Sequence, residues 1–393
     1  MTGKLRNVEI ITAASTLRGL AYSSIWVYSS IYLHVSLHLS LVYVGAIFAI
    51  GGAISGLVQI YGGIVSDRIG YKVTVILSLG IVSLIYLLAT AAPELLLSSL
   101  EFPGILIALM FGNSLQAPAA NAIVSLSSDF KLKGFSMLRV GSNIGWGLGP
   151  AIGGFVLSYY SFSSLFIIGL AMSLISLILS FLISEPGKTV AAIRKLGTEN
   201  RFVILLSIIA LLLFIVQSQE TVTLSNYARI IRGLPYYELG IVYLTNGIFV
   251  VVSQPFIFRI SRKLGNFISY GLGTLIYSAG FFSYAFDHGI VSFVVSTVIL
   301  TIGEDFAFPT GVTMVSNVSK PENIGKNMGL YNAFLSAGRA VGPLLGGTVY
   351  SLTTDPVFLW FYTTLSGFAS LAIFLGIFTK NRAALDQRDD HRF

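Results

Sequence analysis

The sequence predicts an all-α membrane protein: twelve transmembrane helices in two six-helix bundles related by a pseudo-two-fold repeat. Three observations carry this. Of the 393 residues, 54% are hydrophobic and 10% charged, against about 25% charged in soluble domains. Apolar runs reaching the ~20 residues needed to cross a bilayer recur along the chain. Finally, Gly145-Trp-Gly-Leu-Gly149-Pro150-Ala-Ile-Gly153-Gly154 has a twin in Gly338-Arg339-Ala-Val-Gly342-Pro343-Leu-Leu-Gly346-Gly347. Both read G-x-x-x-G-P-x-x-G-G, half a chain apart, which points to internal duplication.

The runs cover 8–33, 41–65, 73–94, 102–128, 135–158, 162–184, 202–228, 237–260, 267–287, 290–317, 327–352 and 356–379. Lys4 and Arg6 precede the first, but that run is too long for a signal-peptide core and is read as a helix. Further ordered matches join the halves. Tyr32, Gly45, Gln59 and Gly70 pair with Tyr227, Gly240, Gln254 and Gly265, and Gly112, Pro118, Gly134 and Met137 pair with Gly303, Pro309, Gly325 and Met328. The polar stretch around 185–201 is a cytoplasmic linker, giving an N-terminal bundle over 1–184 and a C-terminal bundle over 202–393 with a short tail.

The formal charge of +7 reports topology. With twelve spans and an inside N-terminus, 20 of the 24 Lys and Arg fall in cytoplasmic segments. This obeys the positive-inside rule and places both termini in the cytoplasm of a plasma-membrane, multi-pass protein whose surroundings are the lipid bilayer. No nucleic-acid partner is expected. With no cysteine, disulfide and thiolate chemistry is excluded. The four histidines, His34, His38, His288 and His391, lie in expected outer loops or the tail. Gly187-Lys188-Thr189 lacks the upstream glycine of a phosphate-binding loop, because position 182 is Leu. No ATP site, no other cofactor, no metal site and no enzyme motif is expected.

Between the second and third runs lies Gly63-Ile-Val-Ser-Asp67-Arg68-Ile-Gly70-Tyr71-Lys72. This resembles the signature loop of the major facilitator superfamily, G-x-x-x-D-R-x-G-R-K, with Tyr71 in place of an arginine. Together with the helix count and the repeat, the resemblance covers the whole chain. It implies a secondary transporter, most similar to drug–proton antiporters. It also implies that Asp67 meets the start of the eleventh helix, Asn323–Asn327, in a cytoplasmic gate, with Asp129 as a partner for Arg68. The alternative is that Asp67 and Arg68 only cap and solvate a loop. The glycine-proline motif resembles the fifth-helix signature of antiporters and weakly favours export. Small residues four apart and a proline also suffice for close helix packing and bending.

Ionisable residues inside the membrane are costly and mark pathways or pairs. Five fall there: Arg18, Glu220, Glu304, Asp305 and Arg339. At 1.5 Å per residue from the nearest cytoplasmic anchor, Arg18, Arg339, Asp305 and Glu304 lie ~18–24 Å deep and Glu220 ~28 Å. In the family, helices one, four, seven and ten line a central cavity. On these runs the lining candidates are Arg18, Tyr22 and Trp26; Asn113 and Asn121; and Gln217 and Tyr227. Glu304 and Asp305 replace Asn113 and Ser114 of the first copy, a departure from the repeat. Asp305, Glu304 or Glu220 is therefore expected to carry a coupling proton. The alternative is a structural Asp305–Arg339 pair. Arg18 stands where drug exporters often carry an acid, which leaves organic anions open as substrates. The expected protein is a monomeric carrier of a small organic molecule, driven by the proton gradient. The rival readings are metabolite or sugar uptake by symport or uniport and, more distantly, a transporter-like receptor or lipid scramblase.

Overall fold

In lipid every backbone polar group must bond within the protein, so an apolar run of this length has little choice but to coil. The computed structural model describes residues 2–128, 131–186, 200–320 and 323–385, and among them every regular element is helical. Twelve long helices match the twelve runs: α1 (Thr2–Ile31), α2 (Leu41–Ile69), α3 (Tyr71–Ala91), α4 (Glu101–Ser127), α5 (Lys131–Tyr159), α6 (Ser164–Phe181), α7 (Arg201–Gln217), α8 (Tyr236–Leu264), α9 (Asn266–Ser283), α10 (Ile290–Asn317), α11 (Ile324–Leu352) and α12 (Pro356–Phe378).

Seven of them are long and apolar enough to cross a membrane: α2, α3, α6, α7 with its continuation, α8, α10 and α12. The other five carry more Gly, Ser, Thr, Asn and charge, as with Arg18 on α1 and Asn113 and Gln116 on α4. Polar and charged membrane residues characteristically face other helices or water-filled space rather than lipid.

Local chemistry sets the ends. The Ser40 side chain accepts from Tyr43 N, Asn200 from Phe202 N, and Asp355 from both Val357 N and Phe358 N. Gly70, between α2 and α3, has φ 109°, and its repeat partner Gly265, between α8 and α9, has φ 81°. Both lie in the left-handed region that favours glycine. One expected helix is broken. Past Gln217 the seventh run tightens to a 3₁₀ turn (Ser218–Glu220), resumes over Thr223–Asn226, and ends in a π turn (Tyr227–Ile231).

The chain forms two compact units, Met1–Ile193 with Glu220–Ile248, and Arg194–Gln219 with Phe249–Phe393. In the first, α1 is packed against α5 and α6, with the Ser23 hydroxyl donating to Gly145 O (2.9 Å) and Ser176 to Ala14 O (2.8 Å). In the second, α7 is packed against α11 and α12, and Ser370 donates to Ile209 O (2.8 Å). Ser176–Ala14 and Ser370–Ile209 occupy corresponding places in the two copies, so the duplication extends to individual interhelical bonds.

Candidate functional site

The membrane cation of the first unit is Arg18, half-buried on α1. Its terminal nitrogen donates to Asn113 Oδ1 at 2.9 Å and to Asn113 O at 3.3 Å. Asn113 in turn donates to Leu109 O (2.8 Å), which fixes the amide's orientation. Four and eight residues along the same face of α1 stand Tyr22 and Trp26, stacked with ring centroids 5.0 Å apart. Trp146 of α5 meets Tyr22 edge-on at 5.8 Å, and Phe48 of α2 meets Trp26 at 4.5 Å. Asn121, also expected to line the site, is exposed on α4 two turns beyond Asn113.

The second unit holds two of the three acids, Glu304 and Asp305. Asp305, buried to 5% exposure on α10, accepts a hydrogen bond from the Ser253 hydroxyl of α8. Glu304, beside it, is half-buried. Arg339 of α11 donates from Nε to Gln217 Oε1 (3.0 Å) and lies over the Phe214 ring, 4.7 Å from its centroid. The structure thus joins two expected residues, Gln217 and Arg339, from helices seven and eleven.

Two residues expected on the same run as Gln217 belong to the first unit. Glu220 sits at the break after α7, where its carbonyl accepts from the Tyr243 hydroxyl (2.5 Å) and from Ser225 (3.1 Å). Tyr227 is fully buried, its hydroxyl accepting from Arg232 Nε at 2.7 Å.

The signature loop is built locally. The Tyr71 hydroxyl donates to Asp67 Oδ1 (2.8 Å), and the Glu185 carboxylate accepts from the backbone N–H groups of Tyr71 (2.8 Å) and Lys72 (2.9 Å). A carboxylate on the first two N–H groups of α3 caps the helix and faces its positive end. Lys72 Nζ donates to Phe181 O (2.8 Å), tying α3 to the end of α6. Gly63 lies on α2 against Pro118, its added Cβ meeting the ring carbon at 3.9 Å, while Arg68 is exposed. Asp129, the expected partner of Arg68, lies outside the described residues.

The family model of the Major Facilitator Superfamily matches residues 11–286 and 267–392. The chain belongs to the major facilitator superfamily. It is 26% identical to the uncharacterised MFS-type transporter YttB of Bacillus subtilis (strain 168), over 88% of each protein. It is 23% identical to Multidrug resistance protein 1 of the same organism, covering 84% of this chain and 86% of that one. A crystal structure of the peptide transporter POT superposes with a TM-score of 0.80 at 17% identity, covering 97% of this chain and 95% of that one. The protein is therefore a multi-pass membrane transporter of this superfamily.

Within this facilitator the twin glycine-proline motif seats α5 on α1 and α11 on α7. A Cβ on Gly145 would stand 2.8 Å from Thr16 O, and one on Gly149 2.9 Å from Leu20 O. One on Gly153 would meet Tyr28 at 2.8 Å, and one on Gly154 the Tyr28 hydroxyl at 2.5 Å. In the second copy Gly338 faces Leu211 O at 2.5 Å and Gly342 faces Ile215 O at 2.7 Å. Gly346 and Gly347 are buried further along α11, and both Pro150 and Pro343 lie inside unbroken helices.

Sequence reasoning passed over Ser253, Glu185 and Trp146. A serine in an apolar run and an acid in a linker carry no spacing signal. Trp146 was visible only as the residue standing where the second copy has Arg339.

Proposed function

We propose that this facilitator is a proton-coupled secondary transporter that exports a small organic solute by alternating access, with Asp305 as the proton-carrying group and Glu304 beside it. The carrying observation is the buried Asp305 carboxylate midway along α10, held by Ser253. A carboxylate out of water must stay compensated or take up a proton, because an isolated buried charge is too costly. A group that alternates between those states can exchange substrate for proton. The proton gradient is then the energy source, with no ATP or other cofactor, and the working unit is a monomer in the plasma membrane.

Export is favoured by the glycine-proline motif on α5 and by the relationship to a multidrug resistance protein over 84% of the chain. The signature loop, with Asp67 held by Tyr71 and α3 capped by Glu185, acts as the cytoplasmic gate.

The test is flux in proteoliposomes over a panel of organic solutes, with and without an imposed pH gradient, for wild type, Asp305→Asn, Glu304→Gln and the double variant. Gradient-driven transport lost in Asp305→Asn, with substrate binding kept, is the expected result. Transport unchanged in both single variants and in the double removes the proton role.

A further inference from the structure

The first unit carries a cation that its own described contacts do not neutralise. Arg18 presents five N–H donors. One terminal nitrogen makes both of its described bonds, and both acceptors are neutral oxygens of Asn113. Arg18 Nε is buried without a hydrogen-bond partner among the described residues. Two further polar groups share that condition: the hydroxyl of Tyr86 on α3, within electrostatic reach of the guanidinium, and both amide atoms of Gln116, one turn along α4 from Asn113.

A half-buried cation whose described bonds go only to neutral groups is costly, and the unpartnered buried donor at Nε adds to the cost. An incoming anion with two oxygens offsets it. A carboxylate matches the planar guanidinium fork and brings charge-assisted bonds. What surrounds the cation defines the rest of the ligand. Tyr22 and Trp26 continue the Arg18 face of α1, and Trp146 abuts Tyr22 while remaining 45% exposed. This is an aromatic shelf of the kind that takes a flat apolar body.

We infer that Arg18 receives the carboxylate of an amphipathic organic anion whose aryl body lies along Tyr22, Trp26 and Trp146. The inference rests on the transport reading above and names its substrate class. It sets this chain apart from a pocket built for cationic drugs, which would place an acid where Arg18 stands.

Two of the chain's three tryptophans are on the shelf, so binding can be read by intrinsic fluorescence on the full-length protein in nanodiscs. The probes are 3-phenylpropionate, 3-phenylpropionamide and 3-phenylpropylamine, which share one body and differ in the head group. The acid is expected to quench, with the amide about tenfold or more weaker and the amine weaker still. Arg18→Gln should bring acid and amide to equal affinity, and Arg18→Lys should keep part of the preference. Trp26→Phe should diminish the quench and weaken acid and amide alike, leaving the acid's preference over the amide in place.

Acid and amide titrating alike in wild type, or a preference that survives Arg18→Gln, overturns the inference. Should Arg18→Gln fail to fold, the wild-type comparison and the lysine variant decide. Carboxylate selectivity at Arg18 without pH-gradient-driven flux leaves this inference standing and removes proton coupling. Proton-driven flux of neutral or cationic solutes without that selectivity does the reverse.

Discussion

The Ser253 hydroxyl donates to Oδ2 of Asp305, so a contact between α8 and α10 of the second unit ends on a buried carboxylate. Interhelical hydrogen bonds in membranes are worth about 0.6 kcal/mol on average and up to about 1.7. A charged acceptor places this one towards the upper end. Ser253→Ala is therefore expected to lower thermal stability in detergent, and Ser253→Thr to retain most of it. In a double-mutant cycle with Asp305→Asn the coupling should reach about 1 kcal/mol. Strictly additive effects would show that the bond contributes nothing.

The same pair gives a functional prediction. Ser253 acts on the proton only by holding the carboxylate, so it is a positioning residue. Ser253→Ala should shift the pH profile of gradient-driven transport while leaving the affinity for solute within a few-fold. A profile that does not move, alongside normal folding, separates Ser253 from the proton step.

Glycines of the twin motif should tolerate no side chain. The Cβ positions of Gly145 and Gly338 fall 2.8 Å and 2.5 Å from backbone carbonyl oxygens of α1 and α7, which cannot move aside as a flexible side chain could. Valine at either site should cost at least the 1–3 kcal/mol typical of overpacking. Gly80 on α3 has nothing within 4 Å of its Cβ position, so Gly80→Ala should be neutral or stabilising, by up to about 1 kcal/mol from helix propensity. Melting temperatures of the three variants in one detergent test the contrast. Equal losses at Gly80 and Gly145 would contradict it.

Glu185 links the end of the first bundle to the start of α3. Removing a side-chain cap typically costs about 1 kcal/mol. Glu185→Ala should lose that amount, and Glu185→Gln less, since one amide oxygen can still accept from an N–H. Hydrogen exchange at Tyr71 and Lys72 is the direct readout: protection should fall in the alanine variant. Unchanged exchange would mean that neighbouring groups, not Glu185, hold those amides.

What the sequence made legible divides along a physical line. Repeat matches, apolar run lengths and the glycine-proline spacing are one-dimensional signals, and they located the twelve helices and the motif contacts of α5 and α11. Helix seven's break was not legible, because the polar stretch Gln217–Thr221 reads as the lining of a continuous helix and carries no glycine or proline to mark an interruption. At the break Gln219 donates its amide to Ile215 O and to Gly342 O of α11. Ser253–Asp305 and Glu185–Tyr71 were illegible for a related reason. Each joins residues 52 and 114 positions apart, and neither has a twin in the other copy to betray it. Asymmetry shows in a sequence only where the repeat supplies a template, as it does for Trp146 and Arg339.

Arg339 stands at that asymmetric position, and its geometry predicts which of its properties matters. Its guanidinium lies over Phe214 and donates to Gln217 at once, two contacts that a planar group can satisfy in one rotamer. Lysine offers a point charge on a flexible stem and would have to favour one contact over the other. A cation–π contact at a partly exposed site is worth about 0.5–1 kcal/mol. Phe214→Leu should then cost that much more stability in wild type than in an Arg339→Lys background. Transport separates charge from geometry. If only positive charge is required on this face of α11, Arg339→Lys transports normally and Arg339→Gln does not. If Gln217 must be held in place, both variants fail, and Gln217→Leu fails with them. The double contact makes the second outcome the expected one. A fully active Arg339→Lys would assign Arg339 the role of a field source rather than a clamp.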